Sequence, residues 1–236
     1  MSDAVRLVLF DIDGTLLSND GAGRRAIHGA LIEVFGTTGP EGHRFDGKTD
    51  PQIVRELMAL AGFEAAAVEA RMERLLQSYV LRLRDELASP DHHPCVYPGV
   101  RELVDTLEAR EDVALGLLTG NLLEGAHAKL ESVGLDPERF VVGAFGSDHA
   151  DRPELPEVAR ARFAARFGRP IPGERLVIIG DTPSDVTCGR GVGARAIGVA
   201  TGFYSADELR AHGAHAVFED LADTEAVLRA ILGDVP

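Results

Sequence analysis

Three short polar segments carry residue types that could perform chemistry together. They are Asp11-Ile12-Asp13-Gly14-Thr15, Thr119-Gly120-Asn121 and Gly180-Asp181-Thr182-Pro183-Ser184-Asp185. Each follows a short apolar run, and together they hold four carboxylates with hydroxyl, amide and backbone groups. Four carboxylates in one partly buried place would repel one another strongly. A bound cation is the expected remedy, so the segments predict a metal-assisted site.

Asp11 and Asp13 are the candidate reacting groups. Residues two apart in a strand-like turn can share one side, which would place an acid/base carboxylate beside a nucleophilic one. The structural alternative is an Asp-Gly turn that caps the next helix. A calcium-binding EF-hand loop is excluded, because its glycine position would fall on Leu16.

The elements that must position these segments alternate along most of the chain. The apolar runs 5–10, 113–118 and 176–179 precede the polar segments and are predicted to be strands, with three more at Phe140–Val142, Ala196–Val199 and Ala216–Phe218. Helical patterns separate them. Near-continuous apolar strands alternating with helices predict an α/β fold with a doubly wound parallel sheet, in which strand ends meet at one edge.

The segment between the first strand and residue 94 has a different texture. Apolar residues recur there at helical spacing, as in Ile27, Leu31 and Val34, and no strand pattern is present. Breakers at Ser89-Pro90 and Pro94 close the segment. We therefore predict a core formed by residues 1–17 and 94–236, with an inserted α-helical domain at residues 18–93.

Composition limits the partners. The 236 residues carry 24 Lys and Arg against 38 Asp and Glu, a net charge of −14 that disfavours nucleic acid and anionic membranes. The two cysteines, Cys95 and Cys188, cannot form a disulfide framework or a tetrahedral zinc site. No apolar run approaches the roughly 18 residues of a membrane span, and no leader pattern is seen. A cytoplasmic protein is expected, and the oligomeric state is not predicted.

The polar segments also resemble motifs of a known family. Phe10-Asp11-Ile12-Asp13-Gly14-Thr15-Leu16, Leu118-Thr119-Gly120-Asn121 and the Asp181 to Asp185 segment are similar to motifs I, II and IV of the haloacid dehalogenase superfamily. The phosphoglycolate phosphatase-like branch is most similar, with a helical cap inserted after motif I. The resemblance implies a Rossmann-like core and a Mg²⁺-dependent phosphatase. Its substrate would be a small phosphomonoester such as phosphoglycolate, hydrolysed through an aspartyl-phosphate.

The same resemblance implies a role for each motif residue. Asp11 would be the nucleophile and a metal ligand. Asp13 would be the general acid/base and would offer its backbone carbonyl to the metal, while Asp181 would be the third ligand and Asp185 would lie in the outer shell. The non-reacting phosphate oxygens would be held by Thr119, Gly120 and Asn121.

The resemblance also implies a motif III cation and a cation in the cap loop. Arg152, just before Pro153 and a predicted helix, matches the motif III cation by position, although the family more often has Lys-Pro there. Lys129 is the other candidate for this place, but its position inside a helix favours a structural or solvated role. Lys48, in a loop similar to the cap loop of the family, could contact the leaving group or could simply be solvated.

Three alternative functions stay open at this point. A dehalogenase of the same superfamily would lack the second motif I carboxylate and need no metal, so Asp13 disfavours it. A phosphomutase would share the fold but return an isomerised product. A nucleotide-binding P-loop is suggested by the pattern of Gly42–Thr49, but the preceding segment is helical and the loop contains Phe45 and Asp46.

Overall fold

The computed structural model describes residues 5–233 of the chain. Its strands and helices alternate along most of this length. The strands are β1 Arg6–Phe10, β2 Leu17–Ser18, β3 Cys95–Val96, β4 Val113–Leu118, β5 Val142–Ala144, β6 Leu176–Gly180, β7 Arg195–Val199 and β8 Ala216–Phe218. The helices are α1 Ala22–Phe35, α2 Asp50–Leu60, α3 Ala65–Leu87, α4 Val100–Glu108, α5 Leu123–Ser132, α6 Leu155–Phe167, α7 Pro183–Cys188, α8 Ala206–Ala211 and α9 Thr224–Leu232.

Six strands form one parallel sheet in the order β5-β4-β1-β6-β7-β8. Alternate residues of β1 enter two different apolar clusters: Val8 and Phe10 pack with helices α4 and α9, whereas Leu7 and Leu9 pack with α6. The sheet is therefore covered by helices on both faces, which explains why its strands are apolar at nearly every position. The prediction of a doubly wound α/β fold is confirmed.

Helices α1, α2 and α3 pack on one another around a separate apolar cluster that includes Ile27, Leu57 and Tyr79. We call residues 22–87 the helical unit. It lies within the predicted inserted domain, residues 18–93, whose boundaries stay a prediction. The outermost residues of the predicted core, 1–4 and 234–236, lie outside the described residues.

The structure differs from the sequence prediction in several boundaries. A two-residue antiparallel ribbon, β2 with β3, joins the two chain segments that enter and leave the helical unit, and it was not predicted. Strand β5 begins at Val142 and not at Phe140. The helix predicted from Pro153 is a 3-10 turn over Arg152–Glu154 followed by α6, since Pro156 favours a fresh helix start in the first turn of α6.

The fold also excludes the P-loop alternative. Gly42–Thr49 follows helix α1 and a loop, whereas a P-loop follows a strand. Within residues 5–233, none of the helices has the length and apolar character needed to cross a membrane.

Candidate active site

The register of the sheet brings the three polar segments together. Phe10, the last residue of β1, is paired with Leu117 of β4 and with Ile179 of β6. Asp11 continues this edge, and its amide donates to the carbonyl of Ile179 at 2.9 Å. Parallel pairing therefore places the residues that follow β1, β4 and β6 side by side at the carboxyl edge of the sheet, as expected for a ligand site in this fold class.

Three carboxylates form a buried cluster at this edge. One oxygen from each of Asp11, Asp181 and Asp185 lies within 4.8 Å of the others, and the residues are 5%, 3% and 1% exposed. Burial raises the pKa of Asp11 to about 6, against the opposing effect of Arg152. Burial, followed by the charges of Asp185 and Asp11, also raises the pKa of Asp181 well above its usual value. The cluster carries more negative charge than its surroundings neutralise.

Local structure fixes two of these carboxylates. Thr182 is the N-cap of α7, and its amide and hydroxyl both donate to Asp185 at 3.0 and 2.6 Å. The hydroxyl of Thr15 donates to Asp181 at 3.2 Å. A Cβ on Gly14 or on Gly202 would collide with the Asp181 carboxyl group, so both glycines are required by the close approach of that side chain.

Arg152 lies against this cluster. Its Nη2 atom is 3.0 Å from Asp11 Oδ1 and also contacts Asp185, and its side chain is only 4% exposed. The guanidinium thus bridges two carboxylates that follow different strands. The structure places Arg152, and not Lys129, beside Asp11.

Lys129 has a different partner. Its ammonium lies 2.7 Å from Asp13 Oδ2 and 2.6 Å from Asn121 Oδ1, and the residue is 3% exposed, so it is not solvated. Asp13 also accepts hydrogen bonds from Asn121, at 2.8 Å, and from Asn19. Burial alone would raise the pKa of Asp13, but the charge of Lys129 and the hydrogen bonds from Lys129, Asn121 and Asn19 lower it below the usual value.

The sequence favoured a structural or solvated role for Lys129 and did not identify Asn19. One feature of the sequence pointed to a special role for Lys129: it is one of two lysines in a chain that otherwise uses arginine as its basic residue. It also lies in the last turn of α5. The helical pattern of the sequence indicates on which face of α5 it lies, but not which group of another element it contacts. Asn19 lies in the turn after β2 and carried no distinguishing pattern.

The phosphate-binding candidates lie at the end of β4. Thr119 and Asn121 are buried, and the Asn121 side chain donates to the Thr119 hydroxyl at 2.8 Å. Gly120 is covered by the helical unit: a Cβ there would collide with the Lys48 carbonyl oxygen, and the Gly120 carbonyl accepts from the amide of Asp50 at 2.8 Å. These contacts explain why the position takes glycine.

The loop before α2 closes over the strand ends. Its Lys48 is bound by the Glu56 carboxylate and lies 3.2 Å from the His43 ring, with a quarter of its side chain exposed. The N-cap of α2 is Thr49, whose side chain accepts a hydrogen bond from the Gln52 amide.

Asp50 is instead a buried contact between the helical unit and the core. Its carboxylate accepts from the Leu122 amide at 2.9 Å and from the Tyr79 hydroxyl. Burial raises its pKa to about 6, although Lys129 lowers it. Asp50 is therefore a polar group that the helical unit buries against the end of β4.

A cavity of about 330 Å³ lies between the strand ends and the helical unit. The polar segments contribute most of its floor, and α1, α2, α3 and the loop before α2 contribute the other wall. Its lining includes every predicted site residue except Asp185: Asp11, Asp13, Lys48, Thr119, Gly120, Asn121, Arg152 and Asp181. A small molecule in this cavity would touch both the reacting carboxylates and the helical unit.

The donor set fits a hard divalent cation. All three members of the cluster offer carboxylate oxygens, which are the ligands that Mg²⁺ prefers. Burial is the main cause of the raised pKa values of Asp11 and Asp181, with neighbouring carboxylates adding to it, and a bound cation would stabilise their ionised forms. Arg152 contacts one oxygen of Asp11 and one of Asp185, and Thr182 binds the other oxygen of Asp185, so Asp11 and Asp181 have the freer oxygens.

Comparison with known proteins gives consistent matches. The family model of haloacid dehalogenase-like hydrolases matches residues 8–190. A phosphoglycolate phosphatase of Pseudomonas fluorescens is 26% identical over 220 residues, which cover 92% of this chain and 77% of the relative. A 5'-nucleotidase of Pseudomonas aeruginosa is 27% identical over 224 residues, with 94% and 95% covered. The crystal structure of a hydrolase from Pseudomonas syringae matches with a TM-score of 0.69 at 26% identity, covering 96% of this chain and 99% of that one.

Proposed function

Since the chain belongs to the haloacid dehalogenase-like hydrolase family, we propose that it is a Mg²⁺-dependent phosphomonoester hydrolase acting through an aspartyl-phosphate on Asp11. The observation that carries the proposal is that Asp11 and Asp13, the two carboxylates that follow β1, have different partners. Asp11 lies in the acidic cluster with Arg152, whereas Asp13 is held apart from that cluster by Lys129 and Asn121. In this proposal Asp11 attacks phosphorus and Asp13 transfers the proton.

The first half-reaction transfers the phosphoryl group. A carboxylate oxygen of Asp11 forms a bond to phosphorus while the bond to the leaving oxygen breaks. Arg152 holds Asp11 in position and neutralises charge near the phosphoryl oxygens. The Thr119 hydroxyl and the backbone amides of Gly120 and Asn121 are the proposed donors to those oxygens. The leaving alkoxide takes its proton from Asp13, which must hold one at that step although Lys129 lowers its pKa.

The second half-reaction regenerates the enzyme. Asp13, once ionised, removes a proton from water, and the resulting oxygen attacks phosphorus and displaces Asp11 as a carboxylate. When bound, Mg²⁺ would neutralise charge between the nucleophile and the phosphate. Asp11, Asp181 and the backbone carbonyl of Asp13 would hold it, with Asp185 in the outer shell.

We propose a small phosphorylated metabolite as substrate, and phosphoglycolate is one example. The phosphoglycolate phosphatase and 5'-nucleotidase relatives support a phosphomonoester substrate. The cavity volume of about 330 Å³ suits a small molecule. In this proposal the helical unit is the cap, which closes the cavity over the strand ends.

The experiment is a phosphate-release screen over small phosphomonoesters, with and without Mg²⁺. Asp11→Asn should release no phosphate, because an amide cannot form the acyl-phosphate. Asp207→Asn is the matched control, since its side chain is almost fully exposed on α8 and pairs with Arg210 of the same helix. The control should keep the activity of the unmodified protein.

The other outcomes discriminate among the alternatives. Normal phosphate release by Asp11→Asn would contradict the proposed nucleophile. An isomerised sugar phosphate without release of phosphate would indicate a phosphomutase. Halide release from a 2-haloacid in excess chelator would indicate a dehalogenase.

A further inference from the structure

The cavity is lined by four cationic side chains, and carboxylates already hold three of them. Arg152 and Lys129 are bound by carboxylates of the strand-end segments, as described above. Lys48 is bound by Glu56. An anionic group entering the cavity would have to compete with those carboxylates for these three cations. The fourth cation is Arg24, in the first turn of α1.

Arg24 forms no ion pair with a carboxylate of residues 5–233. Its guanidinium carbon lies 3.8 Å from the centre of the Phe45 ring, and its Nη1 donates to the backbone carbonyl of His43 at 3.1 Å. A guanidinium has five N–H donors in a planar fork. Arg24 is therefore held in place by an aromatic ring and one carbonyl while most of its donors stay available.

The surroundings of Arg24 favour binding of an anion there. The helical unit lines this cavity with apolar side chains, including Ile27, Phe45 and Ile53. Arg24 itself is exposed, so its guanidinium is accessible to an anion that enters the cavity. A substrate whose phosphate lies at Asp11 has its leaving group in the rest of the same cavity, where Arg24 is the unpaired cation.

We propose that Arg24 is the specificity-determining residue of this cavity and selects phosphomonoesters whose leaving group carries a further anionic group, either a carboxylate or a second phosphate. Both groups match the planar fork of a guanidinium through paired N–H donors. The inference rests on the proposed phosphatase function and deepens it. It also transfers to Arg24 the leaving-group contact that the sequence suggested for Lys48.

The net charge of the protein increases the expected effect of Arg24 on substrate selectivity. At −14, the chain repels a substrate with two anionic groups more strongly than one with a single phosphate. A local unpaired cation reverses that preference only if it meets the second anion. The ratio of kcat/KM between substrates with and without a second anionic group therefore measures the contribution of Arg24.

The test compares kcat/KM for three substrates in the full-length protein with Mg²⁺. Phosphoglycolate has a carboxylate on its leaving group, fructose 1,6-bisphosphate has a second phosphate, and p-nitrophenyl phosphate has neither. The variants are Arg24→Gln, Arg24→Lys and Lys48→Met. Arg74→Gln is the control, because it removes the same charge from α3 at a side chain that is 70% exposed and outside the cavity.

We expect Arg24→Gln to lower the ratio of kcat/KM on the preferred dianionic substrate to that on p-nitrophenyl phosphate by about 10- to 100-fold, the usual effect of losing a charged hydrogen bond. Arg24→Lys should recover part of the ratio, and Arg74→Gln should not change it. The affected substrate shows whether the second anion is a carboxylate or a phosphate.

Two results would overturn the inference alone: equal losses on all substrates in Arg24→Gln, or a loss of the ratio in Lys48→Met with none in Arg24→Gln. Absence of phosphate release from every substrate by the unmodified protein would instead overturn the proposed function, and this inference with it. A circular dichroism spectrum and melting curve for each variant separate these results from a folding defect.

Discussion

At the scale of single residues, Arg152 joins Asp11, the proposed nucleophile, to the polar segment that follows β6. One guanidinium contacts Asp11 and Asp185, which follow β1 and β6 and are 174 positions apart in the chain. Both carboxylates are buried, so either would be left as a costly uncompensated charge without Arg152. This side chain therefore contributes both to the alignment of Asp11 and to the stability of the strand ends.

We predict that Arg152→Lys lowers kcat by about 10²- to 10³-fold on every substrate, which is typical for loss of one preorganised electrostatic donor. A lysine retains the charge but not the planar fork that spans two carboxylates. Steady-state kinetics on phosphoglycolate and p-nitrophenyl phosphate would measure the effect. Arg160→Lys, at a partly exposed ion pair in α6, is the control, and a loss confined to one substrate would contradict the assignment.

A second residue-scale feature is the contrast between Asp11 and Asp13. They are two positions apart, yet the pKa of Asp11 is raised to about 6 and that of Asp13 is lowered. Burial acts on both, and the partners differ: Asp11 shares Arg152 with another carboxylate, whereas Asp13 has Lys129 and two amides. These shifts alone are opposite to what the proposed roles require, since a nucleophile must be ionised and a general acid must hold a proton. A divalent cation bound by Asp11 would lower the pKa of that carboxyl group and favour the attacking form.

At the scale of elements, the start of α2 is locked onto the end of β4. The Asp50 amide donates to Gly120, and the Asp50 carboxylate accepts from the Leu122 amide. The Thr49 hydroxyl donates to the Ala150 carbonyl at 2.6 Å. These contacts hold the helical unit over the cavity through backbone groups of the core.

This junction gives a prediction about the pH dependence of stability. The pKa of Asp50 is raised from 3.8 to about 6, so its neutral form is favoured in the folded protein. The associated stabilisation is complete below pH 3.8 and is lost as the pH rises through about 6. Relative to Asp50→Asn, the unmodified protein should lose up to about 3 kcal/mol of unfolding free energy between pH 4 and pH 7.

Urea unfolding of both proteins across this pH range would measure the difference. The same experiment with Asp207→Asn is the control, because that carboxylate is exposed on α8. A difference between the unmodified protein and Asp50→Asn that stays constant with pH would show that Asp50 is ionised throughout and stabilised by Lys129.

At the scale of the whole molecule, an acidic chain concentrates negative charge at its active site. The net charge is −14, and the cluster of Asp11, Asp181 and Asp185 lies buried with Arg152 as its contacting cation. Folding brings these carboxylates together from two strand ends. A divalent cation that binds only the folded site should therefore stabilise the entire protein.

We predict that Mg²⁺ raises the melting temperature in a saturable manner. At 100 times the dissociation constant, the stabilisation is about 2.7 kcal/mol, which corresponds to roughly 5–10 °C for a chain of this size. Asp181→Asn should remove most of the shift, and NaCl at equal ionic strength should not reproduce it. Differential scanning calorimetry would measure both, and an equal shift in Asp181→Asn would place the bound cation elsewhere.

The sequence by itself determined which strand ends carry the chemistry. Asp11, Thr119 and Asp181 each follow an apolar run, and parallel strands necessarily bring such ends to one edge, so their proximity could be predicted without coordinates. The doubly wound sheet follows from the same alternation of strands and helices. These are consequences of local pattern and of the direction of the chain.

Only the tertiary structure decided how the cations are shared. Lys129 reaches Asp13 from the last turn of α5, Lys48 is bound by Glu56, and Arg24 has no carboxylate partner among the described residues. Helical spacing identifies the exposed and buried faces of a helix, but not which group another element places opposite a given side chain. Electrostatic partners depend on those distances, and the packing of the helical unit on the strand ends sets them.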